Sequence, residues 1–364
     1  MIESMKILIV EDDPDMADSC QKLFRRAGFA AEVVSSGTEA LRAVERDNSV
    51  RIILTDLRMP EMDGVELLQR AKKHDPSLDV LIMTGYGTIQ SAVQAIKIGA
   101  TDYITKPFDK DELLQAVKKI VKMQKLQQEV SRLRSELQTK YRFDNIIGQS
   151  QKMKEVFEKM AAAAENDFPV LITGESGTGK ELVAKAIHYS GLRSKGPFVP
   201  VNCGALPRDL IESELFGHKR GSFTGAINDA PGLFRSAREG TIFLDEIAEM
   251  SHDTQAKLLR ALQEKRIRPV GEAKEVPVDI RIMAATNLDI KKALEDGTLR
   301  EDLYYRLSVI TINLPSLRER IDDLPLLVHH FIDKLNTLYK REIKGIEDGA
   351  LNLLMEYSWP GNIR

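Results

Sequence analysis

Pro169-Val170-Leu171-Ile172-Thr173-Gly174-Glu175-Ser176-Gly177-Thr178-Gly179-Lys180-Glu181 decides the fold of the larger part of this chain. Its first five residues form a short apolar run of the kind that makes a strand buried on both faces. A G-x-x-x-x-G-K turn follows, and a helical pattern runs from Glu181 to Tyr189. Strand, glycine turn and helix together make a phosphate cradle. The glycines let backbone N–H groups wrap the anion, the helix N-terminus favours negative charge, and Lys180 reaches the outer phosphates. Position 181 carries Glu where a Ser or Thr is usual, so the hydroxyl that would hold Mg²⁺ is missing.

Working outward, Thr241-Ile242-Phe243-Leu244-Asp245-Glu246 is an apolar strand ending in two acids. Asp245 is expected to hold Mg²⁺ and Glu246 to orient and deprotonate an attacking water. Ile280 to Ala285 is a further strand, running into Thr286 and Asn287, a polar end placed to sense a terminal phosphate. Val199-Pro200-Val201 ends at Asn202, which could hold Glu246 when the site is idle. Arg300 and Arg306 lie six residues apart and could supply a transition-state cation. After Pro315 the pattern turns helical at Leu317 to Arg320, Leu324 to Leu338 and Ala350 to Tyr357. Trp359-Pro360-Gly361-Asn362-Ile363-Arg364 reads as a helix about to start, so the chain is expected to finish within a domain.

The first 110 residues alternate apolar runs with amphipathic helical patterns. The runs are Ile7 to Val10, Ile52 to Leu54, Val80 to Met83 and Tyr103-Ile104. Ala17 to Ala27 and Val65 to Lys73 read as helices. Such alternation folds as a doubly wound parallel sheet, whose ligands bind beyond the carboxyl ends of the strands. Those ends carry Glu11-Asp12-Asp13, Asp56, Thr84 and Lys106-Pro107. Converging carboxylates repel, so the pattern asks for a hard cation such as Mg²⁺. A lone Asp beside that cation, a hydroxyl and an ammonium can attack phosphorus. A cis Lys106-Pro107 bond would aim the lysine into the pocket. Tyr103 is either part of this chemistry or a packed aromatic.

Between the two segments, Lys110 to Lys140 contains neither Gly nor Pro. Met123, Leu126, Val130, Leu133 and Leu137 are spaced 3, 4, 3, 4, the seam of a left-handed coiled coil. A solvated linker helix would show the same leucines. Lys118 to Arg142 holds eight basic and two acidic residues, read as a solvated face because aromatics do not interleave them before Tyr141.

The 364 residues predict two to three domains. With 52 basic and 55 acidic residues the net charge is −3, which excludes a globally basic nucleic-acid coat and an acidic disordered tail. No run approaches a membrane span, and Met1 to Lys6 does not begin a leader, so a cytoplasmic protein without membrane contact is expected. Cys20 and Cys203 read as small buried hydrophobes of a reducing compartment.

Residues 5 to 122 resemble the receiver domain of two-component response regulators. The resemblance implies a flavodoxin-like fold, phosphate transfer from a histidine kinase to Asp56, and Mg²⁺ on Glu11 and Asp12, with Asp13 a second choice of register. Thr84 and Tyr103 look like the family's switch pair. Residues 143 to 364 resemble the AAA+ ATPases of the NtrC type, activators of sigma-54 RNA polymerase. Three pieces carry this likeness: Gly174 to Glu181, Glu214-Leu215-Phe216-Gly217-His218, and Gly221-Ser222-Phe223-Thr224-Gly225-Ala226, the last with Ser222 where the family has Ala. Glu181 is what this family shows. ATP and Mg²⁺ are then the implied cofactors, with Ile147 and Gly148 at adenine, Arg364 as the lid arginine, and Arg300 and Arg306 as fingers acting on a neighbour. The 221–226 loop would grip sigma-54. The expected layout is a receiver at 1–122, a coiled-coil linker helix at 123–142, an AAA+ α/β domain at 143–315 and a partial helical lid at 316–364. Self-association is expected as a dimer through receiver and linker and as a hexameric ring when active. DNA contact would belong to a domain outside this chain. A receiver-controlled remodeller of another protein, and a non-enzymatic phospho-dependent scaffold, are the competing readings.

Overall fold

The computed structural model describes residues 5–85, 95–222 and 226–364, without the side chains at 208 and 209. It falls into two compact units, Met1–Arg132 and Leu133–Arg364.

The N-terminal unit is built on five parallel strands: β1 (Lys6–Val10), β2 (Ala30–Val34), β3 (Val50–Asp56), β4 (Asp79–Thr84) and β5 (Asp102–Thr105), in the order β2-β1-β3-β4-β5. The order reverses between β1 and β3, which opens a crevice at their carboxyl ends. Successive side chains of β1 point to opposite faces, so each face has its own core. Leu8 and Val10 pack with Ile53, Leu67 and Leu68, while Ile7 and Ile9 pack with Phe24, Ile52, Leu113 and Val117. Helices α1 (Pro14–Arg26), α2 (Gly37–Arg46) and α3 (Gly64–His74) cover the sheet. The edge strand β2 is an addition to the sequence reading. Its run is broken by Glu32, whose carboxylate accepts from the Lys6 ammonium at 3.0 Å.

Helix α4 spans Lys110–Lys140. Its first turns bury Leu113, Val117, Ile120 and Val121. The buried stripe ends at Gln124, whose side-chain amide donates to Asp79 Oδ2 (2.5 Å) and to the Arg51 carbonyl (3.3 Å). Met123 and, beyond Gln124, Leu126, Val130 and Leu133 are 45–55% exposed.

The C-terminal unit holds a second parallel sheet, formed by β6 (Val170–Thr173), β7 (Phe198–Asn202), β8 (Thr241–Asp245), β11 (Arg281–Thr286) and β12 (Ile310–Asn313), in the order β12-β6-β11-β8-β7. A small antiparallel pair, β9 (Arg266–Ile267) and β10 (Val276–Pro277), lies outside it. Helix α5 (Gln151–Ala164) and α6 (Lys180–Ser190) cover the face where Ile172, Phe243, Met283 and Ile312 pack. The opposite face gathers Leu171, Ile242, Leu244, Phe234 and Leu258. A 3₁₀ turn over Leu317–Asp323 leads into α7 (Leu324–Tyr339) and α8 (Asp348–Glu356), whose small core of Leu317, Leu324 and Leu327 meets Ile147, Trp359 and Ile363. The last residues turn rather than begin a helix. Trp359 Nε1 donates to the Leu354 carbonyl at 2.8 Å, and Asn362 takes a left-handed φ of 55°.

Candidate functional site

In the N-terminal unit, β1, β3 and β5 bring Glu11, Asp56 and Lys106 together. Lys106 Nζ donates to Glu11 Oε2 and to Asp56 Oδ2, both at 2.7 Å. The Lys106-Pro107 bond is cis. Carboxylate oxygens of Glu11, Asp12 and Asp56 lie within 4.8 Å of one another, a spacing that suits one hard cation. Asp13 instead caps α1, accepting from the backbone N–H groups of Asp15 (2.9 Å) and Met16 (3.4 Å). Burial holds the Glu11 carboxyl above its usual range against the pull of Lys106. Burial lowers the Lys106 ammonium, but hydrogen bonds to Asp56 and Glu11 outweigh it and raise the group. The two shifts differ in origin: burial dominates at Glu11, hydrogen bonding to carboxylates at Lys106. Thr84 is buried at the end of β4, and its carbonyl accepts from Lys106 N at 2.7 Å. Tyr103 is 40% exposed on β5. Gly64 lets α3 begin against Asp56: a Cβ there would stand 2.3 Å from the Asp56 carbonyl oxygen.

In the C-terminal unit a cleft of about 420 Å³ opens at the carboxyl end of the sheet. The turn between β6 and α6 forms its floor, with Gly174, Gly177 and Gly179 at φ of 147°, 80° and 102°. Lys180 Nζ donates to the carbonyls of Gly174 (2.8 Å) and Glu175 (3.1 Å). Burial lowers its pKa, opposed by Asp245 and Glu246. Ser176, Thr178, Glu181, Asn202, Asp245, Glu246, Ile147 and Arg364 also line the cleft. Glu246 has a left-handed φ of 57°, and its N–H donates to Asp245 Oδ1 at 3.0 Å. Glu181 pairs with Lys185 one turn on, at 2.7 Å. Gly148 packs against Met153 and Asp323. No hydrogen bond joins Asn202 to Glu246 among the described residues. The Asn202 side-chain oxygen instead accepts from Gly204 N (2.9 Å) and Ala205 N (3.0 Å), closing a side-chain-to-backbone turn. Asn287 is exposed past the end of β11 and does not line the cleft.

Sequence reading missed how the lid fastens to the phosphate turn. Arg318 pairs with Glu175 through both its terminal nitrogens. Asn362 donates to Glu175 Oε2 (3.2 Å) and the Ser176 carbonyl (2.9 Å), while its own oxygen accepts from Leu317 N (2.8 Å). Arg364 donates to Ser176 Oγ at 2.7 Å. Gly177 is required here, since a Cβ would stand 2.2 Å from the Gly361 carbonyl oxygen. Tyr141, just after α4, stacks on Tyr189 of α6 with ring centroids 5.4 Å apart. A Glu inside a glycine turn and an Asn near the last residue carry no local signal; only the folded lid makes them partners.

Arg300 is held bidentate by Asp302 (3.0 and 2.7 Å), and Arg306 is exposed; neither lines the cleft. Gly221 N donates to the Ala226 carbonyl at 2.9 Å, and Ala226 is buried. The Ser222 hydroxyl is enclosed without a partner among the described residues. Phe223, Thr224 and Gly225 lie outside the described residues.

Residues 7–118 match the response regulator receiver domain, 146–313 the sigma-54 interaction domain and 318–364 an AAA+ ATPase lid domain. The regulatory protein AtoC of Escherichia coli (strain K12) is 45% identical over 359 residues, covering 99% of this chain and 78% of that one. The C4-dicarboxylate transport transcriptional regulatory protein DctD of Rhizobium meliloti (strain 1021) is 41% identical over 364 residues, 100% of this chain and 79% of its own. The crystal structure of NtrX from Brucella abortus in complex with ATP is similar at a TM-score of 0.63 and 34% identity, over 99% of this chain and 78% of that one. No helix among the described residues is long and apolar enough to cross a membrane.

Proposed function

The chain belongs to the NtrC family of two-component response regulators, transcriptional regulators that join a receiver domain to an AAA+ sigma-54 interaction ATPase, and on that footing we propose that phosphorylation of Asp56 controls assembly of the ATPase units. One observation carries the reading. The cleft collects Lys180, Asp245, Glu246 and Arg364, whereas Arg300 and Arg306 stand outside it. Hydrolysis that needs those arginines needs a second copy of the chain.

In the receiver, an Asp56 oxygen attacks phosphorus of the kinase's phosphohistidine, forming the O–P bond as the N–P bond breaks. Lys106 and Thr84 take up oxygens of the arriving phosphoryl group. Mg²⁺ held by Glu11, Asp12 and Asp56 would supply the charge that offsets their mutual repulsion. Lys106 must share its ammonium with the new group, and that loosens its hold on Glu11. Thr84 and Tyr103 then carry the change to β5 and α4. The exposed Met123, Leu126, Val130 and Leu133 form the seam through which two chains associate.

In the ATPase, the backbone N–H groups of the phosphate turn and Lys180 bind the phosphates of ATP. Glu246 takes the proton of the attacking water, and Asp245 would hold Mg²⁺, which would supply positive charge against the outer phosphates. Arg364 reads the nucleotide in its own chain. A neighbour's Arg300 and Arg306 supply transition-state charge. The 221–226 loop transmits each cycle to sigma-54 RNA polymerase.

Sedimentation and phosphate release, measured with and without acetyl phosphate, test this. The donor should increase both assembly and turnover per chain, and Asp56→Asn should abolish both responses. An Asp56→Asn protein that still assembles and hydrolyses ATP on adding the donor would falsify the reading.

A further inference from the structure

Arg320 sits in the 3₁₀ turn that opens the lid, at φ −135° and ψ 42°, outside helical geometry. It is 3% exposed and lines the nucleotide cleft. Its Nε is enclosed without an acceptor, and among the described residues nothing accepts from the rest of its guanidinium. The nearby carboxylate is Asp323, itself 1% exposed. Its oxygens are taken: Oδ1 accepts from Gln149 N (2.6 Å) and Ser150 N (2.8 Å), and Oδ2 from Ser150 Oγ (2.7 Å). Asp323 therefore balances the charge of Arg320 through space without hydrogen-bonding to it. A guanidinium offers five donors and no acceptor, and an enclosed Nε–H without a partner is unfavourable unless something else supplies an acceptor.

The cleft has two chemically distinct parts. Its phosphate part is already rich in donors: Lys180, Arg364 and the N–H groups of the glycine turn. The wall that carries Arg320 is continuous with Ile147 and Leu327, which pack together in the lid core. Such a wall suits a flat aromatic base and an adjoining sugar, not phosphate oxygens. We propose that Arg320 is a nucleoside-binding residue, its guanidinium donating to an acceptor on the base or ribose of the bound nucleotide. The assignment rests on the cleft being the ATP site. It makes a cation of the lid turn, and not only the apolar residues around Ile147, responsible for holding the nucleoside half.

Calorimetric titration of the full chain with ADP, adenosine and inorganic tripolyphosphate tests it, with Arg320→Met as the variant. The expected result is an affinity loss of about 10- to 100-fold for ADP and the same factor for adenosine. Tripolyphosphate binding should be unchanged. Without ligand, the melting temperature read from Trp359 should be equal or higher, because an enclosed cation without hydrogen bonds has been replaced by an apolar chain of similar length. Arg320→Gln serves if the Met variant does not fold, with the same pattern across the three ligands. Unchanged ADP affinity overturns the assignment. So does a loss confined to tripolyphosphate, which would place the contact on phosphate. A lower melting temperature with intact ADP binding makes Arg320 a structural cation and also overturns it. Failure of the wild-type chain to bind ADP would instead overturn the reading of the cleft, and this assignment with it.

Discussion

Two lysines in this protein face phosphorus chemistry, and their surroundings push them in opposite directions. Lys106 of the receiver lies 2.7 Å from two carboxylates, which hold its ammonium above the ordinary lysine value against burial. Lys180 of the ATPase has, among the described residues, two carbonyl oxygens as its acceptors, and burial pulls it below that value. The first charge is already committed to Glu11 and Asp56, so an incoming phosphoryl group must compete for it. Competition is what a switch requires, because binding the new group has to release something. The second charge is under-satisfied, as suits a site that binds an anion and lets it go each cycle. The receiver makes its phosphate site from side-chain acids and must import positive charge. The ATPase makes its own from backbone donors and, in the function proposed above, takes an arginine from a second copy of the chain.

The largest expected effect tests the second half of that contrast. Glu246→Gln removes the proposed base but keeps the size and most of the packing of the side chain. Phosphate release should fall by about 10²- to 10⁴-fold while ADP affinity stays within a few-fold of the parent. Loss of binding instead would show that Glu246 shapes the cleft. Next come the two lysines, each changed to Met. Lys106→Met leaves Glu11, whose side chain is 2% exposed, without its cation, and should cost the receiver about 3 kcal/mol in Mg²⁺-free buffer. Lys180→Met should cost the ATPase unit about 1 kcal/mol or less yet weaken ADP binding by about 10²-fold. Hydrogen exchange at β1 and β3 reads the receiver, and Trp359 fluorescence, the single tryptophan, reads the ATPase. Equal stability losses in the two variants would break the comparison.

Both halves of the contrast were partly legible in the sequence, for different reasons. Parallel strands buried on both faces leave unbroken apolar runs, so β1, β3, β4, β6 and β8 could be read directly, and the chemical residues follow at their ends. The edge strand β2 could not, because one of its five residues is Glu32 and its solvent side need not be apolar. Asp12 and Asp13 were ambiguous in sequence because either register offers an acid. The structure distinguishes them by helix capping, a contact of two or three residues' range. The Glu175–Arg318 and Glu175–Asn362 contacts join positions 143 and 187 residues apart, and local pattern carries nothing across such distances. The same is true of Arg320, which in sequence is one of several lid arginines and becomes distinctive only once burial isolates it.

A smaller effect separates the two units by acid. His188, on the helix that follows the phosphate turn, is 1% exposed. Its Nδ1 lies 2.9 Å from Thr241 Oγ1, and its ring packs on Phe198 at 5.3 Å. Burial, with a further push from Arg281, lowers its pKa to about 4. In the unfolded chain an ordinary histidine takes up its proton near pH 6.5, while the folded ring does not until about pH 4. Between those values the unfolded state binds more protons, so stability falls as pH falls and is fully restored above 6.5. From pH 6.5 to 5 the ATPase unit should lose about 2 kcal/mol. His74, the receiver's single histidine, is exposed at the end of α3 and not enclosed as His188 is. The Trp359 transition should therefore move to lower temperature over this window while the receiver's moves less, and His188→Leu should flatten the ATPase profile. A Trp359 transition that holds its position from pH 6.5 to 5 would mean that the ring accepts a proton inside the fold, most simply by turning Nε2 to a carbonyl.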